Sequence, residues 1–548
     1  MTHPQPAPST ESAETTASPV TLGPSGTTLA DVVAVARHGA QVHLSDQALQ
    51  AVAEVRQHVE DLAAGETPTY GISTGFGALA DKHIPQESRA QLQKSLIRSH
   101  AAGMGPAVET EVVRALMFLR STTLASGRTG VRPVVVQTMV DLLNAGITPV
   151  VREYGSLGCS GDLAPLSHVA LTLMGEGEAA GPDGTVRPSG ELMAQAGIEP
   201  VELREKEGLA LINGTEGMLG MLILALHDLA ALADTVDLTA AMAVEALLGT
   251  DRVFVPELHA PLRPHPGQAR AADRMLRILA DSPIVASHRE GDSRVQDAYS
   301  LRCAPQVSGG LRDLLDYATT VAERELAATI DNPVVLPDGR VSSNGNFHGA
   351  PVAYVLDFLA IPVADVASMS ERRTDRMLDP ARSHGLPAFL VDDPGVDSGM
   401  MIAQYTQAGL VSEMKRLAVP ASVDSIPSSA MQEDHVSMGW HSARKLRTSV
   451  ENLRRVLAVE LVAAGRAIDL RAPLQPGPAT GAALSVLRTR VEGPGPDSFM
   501  APQLAAAEQL LREGSVLAAV EQVLSEAGAG DPGAEDLAGV DHPTAEGH

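Results

Sequence analysis

The sequence predicts an all-α protein, with a central bundle of long helices and a smaller N-terminal mixed region. Aromatic residues make up only 3% of the 548-residue chain. Ala, Leu and Val must therefore supply most of the packing, which suits close-packed helices better than a β-sandwich. Apolar residues recur every three or four positions in 451–470 and again in 410–417, where Pro420 marks a helix end. Convincing strands are few, and the best hairpin candidate is 332–340.

We expect five segments along the chain. The start is rich in Pro, Ser and Thr and lacks the basic and apolar regions of a secretory signal, and the end is rich in Gly, Asp and Glu. The segments are a disordered leader (1–20), an N-terminal region with two glycine-bearing loops (21–215), a central helical bundle (216–475), a C-terminal helical segment (476–525) and a disordered acidic tail (526–548).

The charge and the cysteine content limit the partners and the location. The net charge is −26, from 41 Lys and Arg against 67 Asp and Glu. Such a surface repels phosphate backbones and anionic membranes, so we expect neither nucleic acid nor membrane as a partner. The apolar run 217–226 has about half of the ~20 residues that a membrane span needs, which predicts a buried helix. Cys159 and Cys303 cannot build a disulfide framework, so we expect a cytoplasmic protein.

Three polar, glycine-rich segments interrupt the helical pattern. They are 70–77 (YGISTGFG), 155–162 (GSLGCSGD) and 342–348 (SSNGNFH). Loops of this kind often carry function when they enter a helical body. Because they come from distant parts of the chain, together they could converge on one site.

The segment 155–162 carries the most distinctive chemistry. A short Gly/Ser run is usually a flexible turn. A phosphate loop is excluded because no Lys-Ser or Lys-Thr pair follows, and the spacing fits a nucleophile elbow poorly. A third interpretation is cyclisation of Cys159-Ser160-Gly161, in which the unhindered Gly161 nitrogen attacks the Cys159 carbonyl carbon. Loss of two waters, the second from the Ser160 hydroxyl, would leave a methylidene-imidazolone electrophile without any external cofactor.

Six separated motifs resemble one family. Residues 155–178 (GSLGCSGDLAPLSHVALTLMGEGE) resemble the signature of the histidine and aromatic ammonia-lyases, whose prosthetic group forms by this cyclisation. The resemblance spans roughly residues 25–475. It implies the ammonia-lyase/fumarase-like helical architecture and a homotetramer with active sites shared between subunits. The other matching motifs are Tyr70–Gly77, Gly208–Thr215, Val295–Cys303, Asn344–His348 and Gln432–Met438.

The resemblance also implies a reaction and its catalytic residues. The reaction is the non-oxidative deamination of L-histidine to trans-urocanate and ammonia, the first step of histidine degradation. An electrophile formed from Cys159, Ser160 and Gly161 makes the amino group a better leaving group. Tyr70 would remove the β-proton, and Tyr299 resembles a second acid/base. A phenol titrates near ~10, so the Tyr70 phenolate would need stabilisation by positive charge or helix N-termini.

The substrate contacts follow from the same motifs. Arg302 resembles the residue that clamps the substrate carboxylate with its planar pair of donors. Asn213 resembles the amide that holds the carboxylate or the ring carbonyl, although on sequence alone an Asn here also suits the start of a helix. Gln296, Tyr299 and Phe347 resemble the group that closes the pocket around the electrophile.

Substrate choice is expected to rest on His100 and Glu433. His100 lies where phenylalanine-using relatives carry apolar residues, and Glu433 resembles the carboxylate that binds the substrate imidazole. A buried acceptor carboxylate rewards an N–H donor and penalises a phenyl ring by leaving a charge unpaired. Taken singly, the two residues would be a core His and a salt-bridged Glu. Two positions depart from the family pattern: Cys159 replaces a frequent Ala, and Met431 a frequent Asn.

The sequence leaves two alternative functions open, and it predicts that the protein has no catalytic metal. No histidine or carboxylate spacing matches a zinc motif, so we expect no catalytic metal. A phenylalanine or tyrosine ammonia-lyase or an aminomutase would use the same chemistry, and an assay for urocanate against cinnamate separates these enzymes. A non-catalytic helical scaffold is the more remote alternative.

Overall fold

The computed structural model describes most of the chain. Tyr70, Cys159 and Ser160 lie outside the described residues, as do most of the predicted leader and tail. The described residues are 18–65, 71–72, 74, 84–158, 161–292 and 294–528.

Helices dominate the described residues, which confirms the predicted all-α class. In chain order they are α1 (Leu29–His38), α2 (Asp46–Ala64), α3 (Arg89–His100), α4 (Thr110–Ala125), α5 (Pro133–Asn144), α6 (Leu163–Leu173), α7 (Ser189–Ala196), α8 (Glu207–Ile212), α9 (Glu216–Ala246), α10 (Pro266–Ile278), α11 (Pro283–Ala286), α12 (Tyr299–Arg302), α13 (Ala304–Leu326), α14 (Ala350–Leu378), α15 (Met401–Leu417), α16 (Gly439–Asp469), α17 (Pro478–Leu487), α18 (Met500–Arg512) and α19 (Ser515–Gly528).

The strands are short and form four small sheets within the described part of the chain. They are β1 (Val20–Leu22), β2 (Val42–Leu44), β3 (Met104–Ala107), β4 (Thr148–Pro149), β5 (Arg152–Tyr154), β6 (Glu178–Ala180), β7 (Val186–Pro188), β8 (Val334–Val335) and β9 (Val341–Ser342). β1 and β2 are parallel, whereas β3 with β5 and β4 with β6 and β7 are antiparallel. β8 and β9 form the hairpin that the sequence predicted.

Local signals explain several helix ends. Thr28 and Asp31 form a reciprocal capping box at the start of α1, and Gly39 ends that helix with a φ of +64°. Proline stands in the first turn of α5, α10 and α17. A backbone N–H at that position would have no acceptor within the helix, so proline loses no hydrogen bond there.

The long apolar run after residue 216 forms α9, a helix of 31 residues. α9 and α14 are long and apolar enough to cross a membrane by length and composition. Most of the apolar stretch in each helix is buried within the structure, which is the pattern of a core helix.

The chain divides into two compact units. The first contains Met1–Leu224, Val321–Tyr354 and Ala421–Ala443, and the second contains Ala225–Thr320, Val355–Pro420 and Arg444–His548. In the first unit α4 packs on α1 and α5, and α6 packs on α3 and α8. In the second unit α17 packs on α19, and one apolar core includes Leu238, Leu461 and Leu487.

Candidate active site

Two distant segments hold the glycine-rich loop 155–162 in the first unit. The Gly158 carbonyl oxygen accepts hydrogen bonds from Ser437 Oγ at 2.8 Å and from the Gly349 N–H at 3.3 Å. The Leu157 carbonyl accepts a third from the Met438 N–H at 2.9 Å. The structure therefore brings the 155–162 loop together with the residue that directly follows the 342–348 motif and with the end of the 432–438 motif.

Gly161 is held against Gly214 by its backbone. Its φ is +78°, and the two glycines pair as an isolated parallel bridge. The Asp162 N–H donates a hydrogen bond to the Gly214 carbonyl oxygen at 2.7 Å. A Cβ at 161 would overlap that oxygen, so only glycine fits. This cradle fits a ring closed at the Gly161 nitrogen; Cys159 and Ser160 themselves lie outside the described residues.

Asp162 links the loop to the start of α9; it lies within the predicted 155–162 loop, but the motifs assigned it no role. Its fully buried carboxylate accepts hydrogen bonds from Ser156 Oγ at 2.8 Å and from the Met218 N–H at 2.9 Å. Burial raises the pKa of Asp162 to about 7, and these hydrogen bonds oppose the rise only in part. The available sequence signal was a carboxylate placed directly before the apolar helix α6.

Asn213 follows the last residue of α8 and is buried. Its side-chain amide donates to the Leu209 carbonyl at 3.3 Å, and its own carbonyl accepts from Arg120 Nη1 at 2.8 Å. Asn213 therefore precedes Gly214 in a turn whose backbone contacts Gly161. Gly71, which lies in the predicted 70–77 loop, is close to the side chain of Leu209, one helical turn before Asn213. Tyr70 itself lies outside the described residues.

His100 ends α3 and is half-buried. Its Nδ1 lies 2.9 Å from the Leu96 carbonyl oxygen, so this nitrogen carries the proton and Nε2 is left as an acceptor. Burial lowers the pKa of His100, and the Leu96 carbonyl and the charge of Glu433 oppose that decrease only in part. The lowered pKa favours the neutral form of His100 at neutral pH.

The loop before α16 positions Glu433. Ser428 and Glu433 exchange backbone hydrogen bonds, and Ser428 Oγ donates to Glu433 Oε2 at 2.8 Å. Between them, Ser429, Ala430 and Met431 all have φ values between 50° and 71°, a conformation that is strained for residues with a side chain. Ser428 lies outside the sequence motifs, so the sequence did not predict its role.

Phe347 is half-buried and lies between β9 and α14. The neighbouring His348 stacks on His435 with ring centroids 5.2 Å apart, and His348 Nε2 lies 3.1 Å from His435 Nδ1. Burial lowers the pKa of His348, and His435 lowers it further. No group of three or more His, Cys, Asp or Glu side chains within the described residues could hold a metal ion.

The remaining predicted residues lie in the second unit. Tyr299 and Arg302 are the first and last residues of α12, and the Arg302 guanidinium lies 4.7 Å from the centroid of the Tyr299 ring. Tyr299 is 70% exposed. Arg302 Nε is buried without an acceptor among the described residues, a deficit that a carboxylate would satisfy. Gln296 lines a polar cavity of about 360 Å³ in the same unit.

The first unit thus combines a helical body, a glycine loop bent onto the backbone at Gly214, and the polar side chains of His100 and Glu433. The aromatic amino acid lyase model matches residues 27–489. The chain belongs to the aromatic amino acid lyase family, which confirms the resemblance identified from the motifs.

The relatives are similar over nearly their whole length. A histidine ammonia-lyase of Streptomyces griseus is 70% identical over 92% of this chain and 98% of the relative. A histidine ammonia-lyase of Gloeobacter violaceus is 49% identical over 90% of this chain and 95% of its own.

Two solved structures share the fold. The histidine ammonia-lyase from Trypanosoma cruzi has a TM-score of 0.83 at 38% identity, covering 91% of this chain and 94% of that one. The tyrosine aminomutase from Streptomyces globisporus has a TM-score of 0.86 at 36% identity, covering 92% and 98%.

Proposed function

We propose that the chain is a histidine ammonia-lyase, which converts L-histidine to trans-urocanate and ammonia and so begins histidine degradation. The observation that carries the proposal is that the Glu433 carboxylate, oriented by Ser428 Oγ, and His100, whose Nδ1 lies against the Leu96 carbonyl, both belong to the unit that contains Gly161. His100 Nε2 and the Glu433 carboxylate are both acceptors, and an imidazole supplies N–H donors where a phenyl ring supplies none. The 70% identity to a histidine ammonia-lyase supports the same substrate.

The prosthetic group is a methylidene-imidazolone formed from Cys159, Ser160 and Gly161, with no external cofactor. It supplies an electrophile that draws electrons from the substrate amino group and makes ammonia a better leaving group. The cradle at Gly161 supports this assignment because it holds a sharply bent residue that can carry no side chain, and a glycine nitrogen is the least hindered one for ring closure.

Other residues of the first unit bind and orient the substrate. Glu433 accepts a hydrogen bond from the substrate imidazole, and neutral His100 offers a second acceptor beside it. The Asn213 amide holds the carboxylate or the ring carbonyl, and Phe347 closes the pocket. Tyr70 removes the β-proton.

Residues of the second unit complete the site from a neighbouring subunit. Arg302 binds the substrate carboxylate, which would satisfy its Nε, a buried donor that has no acceptor among the described residues. Gln296 and Tyr299 close the pocket, and Tyr299 serves as a second acid/base. The exposure of Tyr299 in the isolated chain supports its burial at a subunit boundary.

The assembly is a homotetramer with shared active sites, located in the cytoplasm. Large apolar side chains of the second unit support association: Phe358 and Ile361 on α14 and Ile402 and Tyr405 on α15 are between 42% and 61% exposed. An apolar cavity of about 700 Å³ lies between α13, α14 and α15. Association with other copies of this chain would bury this surface.

Purified protein tests the proposed reaction directly. It is incubated separately with L-histidine, L-phenylalanine and L-tyrosine, and the ultraviolet spectra are followed for urocanate, cinnamate and coumarate. Chromatography for β-amino acids tests the aminomutase alternative. Urocanate as the dominant product supports the proposal. A β-amino acid, cinnamate or coumarate in its place, or no product from any substrate, would refute it.

A further inference from the structure

A fully buried arginine connects the turn that contains Gly214 to two other segments of the first unit. Arg120 lies on α4, and its side chain is 0% exposed. Its guanidinium donates to the carbonyls of Ala210, Asn213 and Ile330 and to Glu216 Oε1, the last at 2.7 Å. A guanidinium removed from water is destabilising unless it is paired and hydrogen-bonded. These acceptors, which lie on separate segments, tie the turn to α4 and to the segment at Ile330.

Glu216 forms an ion pair with Arg120 and lies directly next to Gly214. Its Oε1 accepts from Arg120 and, at 2.9 Å, from Thr123 Oγ1. Its Oε2 is buried and accepts no hydrogen bond within the described part of the chain. A Cβ at Gly214 would overlap this oxygen, so Glu216 allows Gly214 no outward movement.

Gly214 in turn has no space on the side that faces Gly161. Its carbonyl oxygen accepts the Asp162 N–H and would overlap any side chain at 161. Glu216 also raises the pKa of Asp162, although burial of Asp162 is the larger cause. A continuous series of contacts therefore links Arg120 and Glu216, through Gly214, to Gly161 and Asp162.

Ring closure requires a backbone bent more sharply than a relaxed chain allows. The Gly161 nitrogen forms a bond to the Cys159 carbonyl carbon, and that carbonyl oxygen leaves as water with the Gly161 and Ser160 amide protons. The Ser160 hydroxyl then leaves as a second water with the Ser160 Cα proton, which produces the methylidene. The first step needs Gly161 to stay in its bent position, because a peptide that can relax moves its nitrogen away from the carbonyl carbon before the bond forms.

We propose that Arg120 and Glu216 are positioning residues for this cyclisation, because they hold Gly214 as the support against which Gly161 is bent. The inference rests on the proposed function, since it assumes that the ring forms. It predicts that weakening the pair slows ring closure by more than any loss of stability explains.

The test follows ring closure by mass rather than by activity. Full-length chain is made by cell-free synthesis, samples are quenched in denaturant at intervals, and the proteolytic peptide spanning 155–162 is weighed. Wild type should lose two waters, and Ser160→Ala supplies a reference that cannot form the methylidene. Glu216→Gln, which has the same shape, should cyclise about tenfold more slowly, equivalent to ~1.4 kcal/mol in the barrier. Arg120→Lys should be slower still.

A matched control separates positioning from stability. Glu460 in the second unit is fully buried and accepts hydrogen bonds from Arg373 and Ser370, as Glu216 does from Arg120 and Thr123. Glu460→Gln should lower the melting temperature as much as Glu216→Gln does, yet cyclise at the wild-type rate. If the buried-charge variants fold poorly, Thr123→Val removes a single hydrogen bond to Glu216 and should still slow the reaction severalfold.

The results of these measurements distinguish a failure of the positioning role from a failure of the proposed function. Wild-type closure rates in Glu216→Gln and Thr123→Val, or equal slowing in Glu460→Gln, would overturn the positioning role and leave the proposed function intact. A wild-type peptide that never loses water would instead refute the prosthetic group itself.

Discussion

Ser428 Oγ donates a hydrogen bond to Glu433 Oε2 at 2.8 Å, across a loop closed by backbone hydrogen bonds between the same two residues. The bond fixes the rotation of the carboxylate near His100, whose pKa responds to the Glu433 charge. A side chain whose role is to bind one ring of a substrate needs this orientation, because hydrogen bonds to charged groups weaken steeply when misaligned. Ser428 is therefore expected to act on substrate binding through Glu433.

Ser428→Ala should raise the KM for L-histidine about tenfold and leave kcat nearly unchanged. The reason is that a ring contact made equally in the ground state and the transition state affects binding alone. Ser428→Thr keeps the hydroxyl and should restore most of the affinity. Ser425→Ala is the control, since Ser425 Oγ accepts the Val436 N–H in the same loop without contacting Glu433. An equal KM in Ser425→Ala and Ser428→Ala would assign the effect to the loop and not to the carboxylate.

Glu433→Ala should reduce kcat/KM for L-histidine by about ten- to over a hundredfold, the value of a charge-assisted hydrogen bond of ~1.5–3 kcal/mol. Its relative preference should move towards phenylalanine or tyrosine, because the unpaired charge that excluded them is gone. Glu433→Gln, which keeps the shape and one acceptor oxygen, should fall between wild type and Glu433→Ala. The measurement is the ratio of kcat/KM on histidine and phenylalanine for the three proteins. An equal loss on both substrates would show that Glu433 serves catalysis or folding.

The sequence could predict those parts of the fold that depend on local pattern. The unbroken apolar run became α9, and the turn residues before Arg340 became the β8–β9 hairpin. Motifs likewise led to His100 and Glu433, because their residue types have a direct chemical meaning for an imidazole.

Residues that act through tertiary contacts could not be found in this way. Arg120 lies 93 residues from Asn213 in sequence, and nothing in the pattern of α4 distinguishes it from a surface arginine. Ser428 matters only because a strained loop returns the chain to Glu433. Asp162 depends on being fully buried, a property set by helices from elsewhere in the chain.

Ser160→Ala should fold and melt like wild type but be almost inactive, because no hydroxyl remains to leave as the second water. Cys159→Ala should keep substantial activity, since only the carbonyl of residue 159 enters the ring. Mass spectrometry of the peptide spanning 155–162 should show the loss of two waters in wild type and in Cys159→Ala. Active wild-type enzyme with this peptide at its full mass would contradict the assignment of the prosthetic group. A large loss of activity in Cys159→Ala with an uncyclised peptide would show that the thiol takes part.

Glu451→Gln should destabilise the second unit at neutral pH and matter less in acid. Glu451 on α16 accepts hydrogen bonds at 2.6 Å from Arg454 and, on α18, from Arg512. Burial alone would raise the pKa of Glu451, but the two arginines outweigh it and lower the pKa from 4.5 to about 2. A carboxylate whose folded-state pKa is lowered contributes stability above its unfolded pKa. That contribution is lost as the pH falls from about 4.5 towards 2.

The measurement is chemical unfolding of wild type and Glu451→Gln at pH 7 and pH 4. The difference in unfolding free energy between the two proteins should shrink by on the order of 1 kcal/mol over that interval. Glu413→Gln is the control, because Glu413 pairs with Arg416 on a solvent-exposed face of α15, where screening by water leaves such a pair little net effect. If the difference in unfolding free energy between wild type and Glu451→Gln stays constant from pH 7 to pH 4, the contact stabilises the protein by packing. The arginines would then hold α18 to α16 without help from the charge of Glu451.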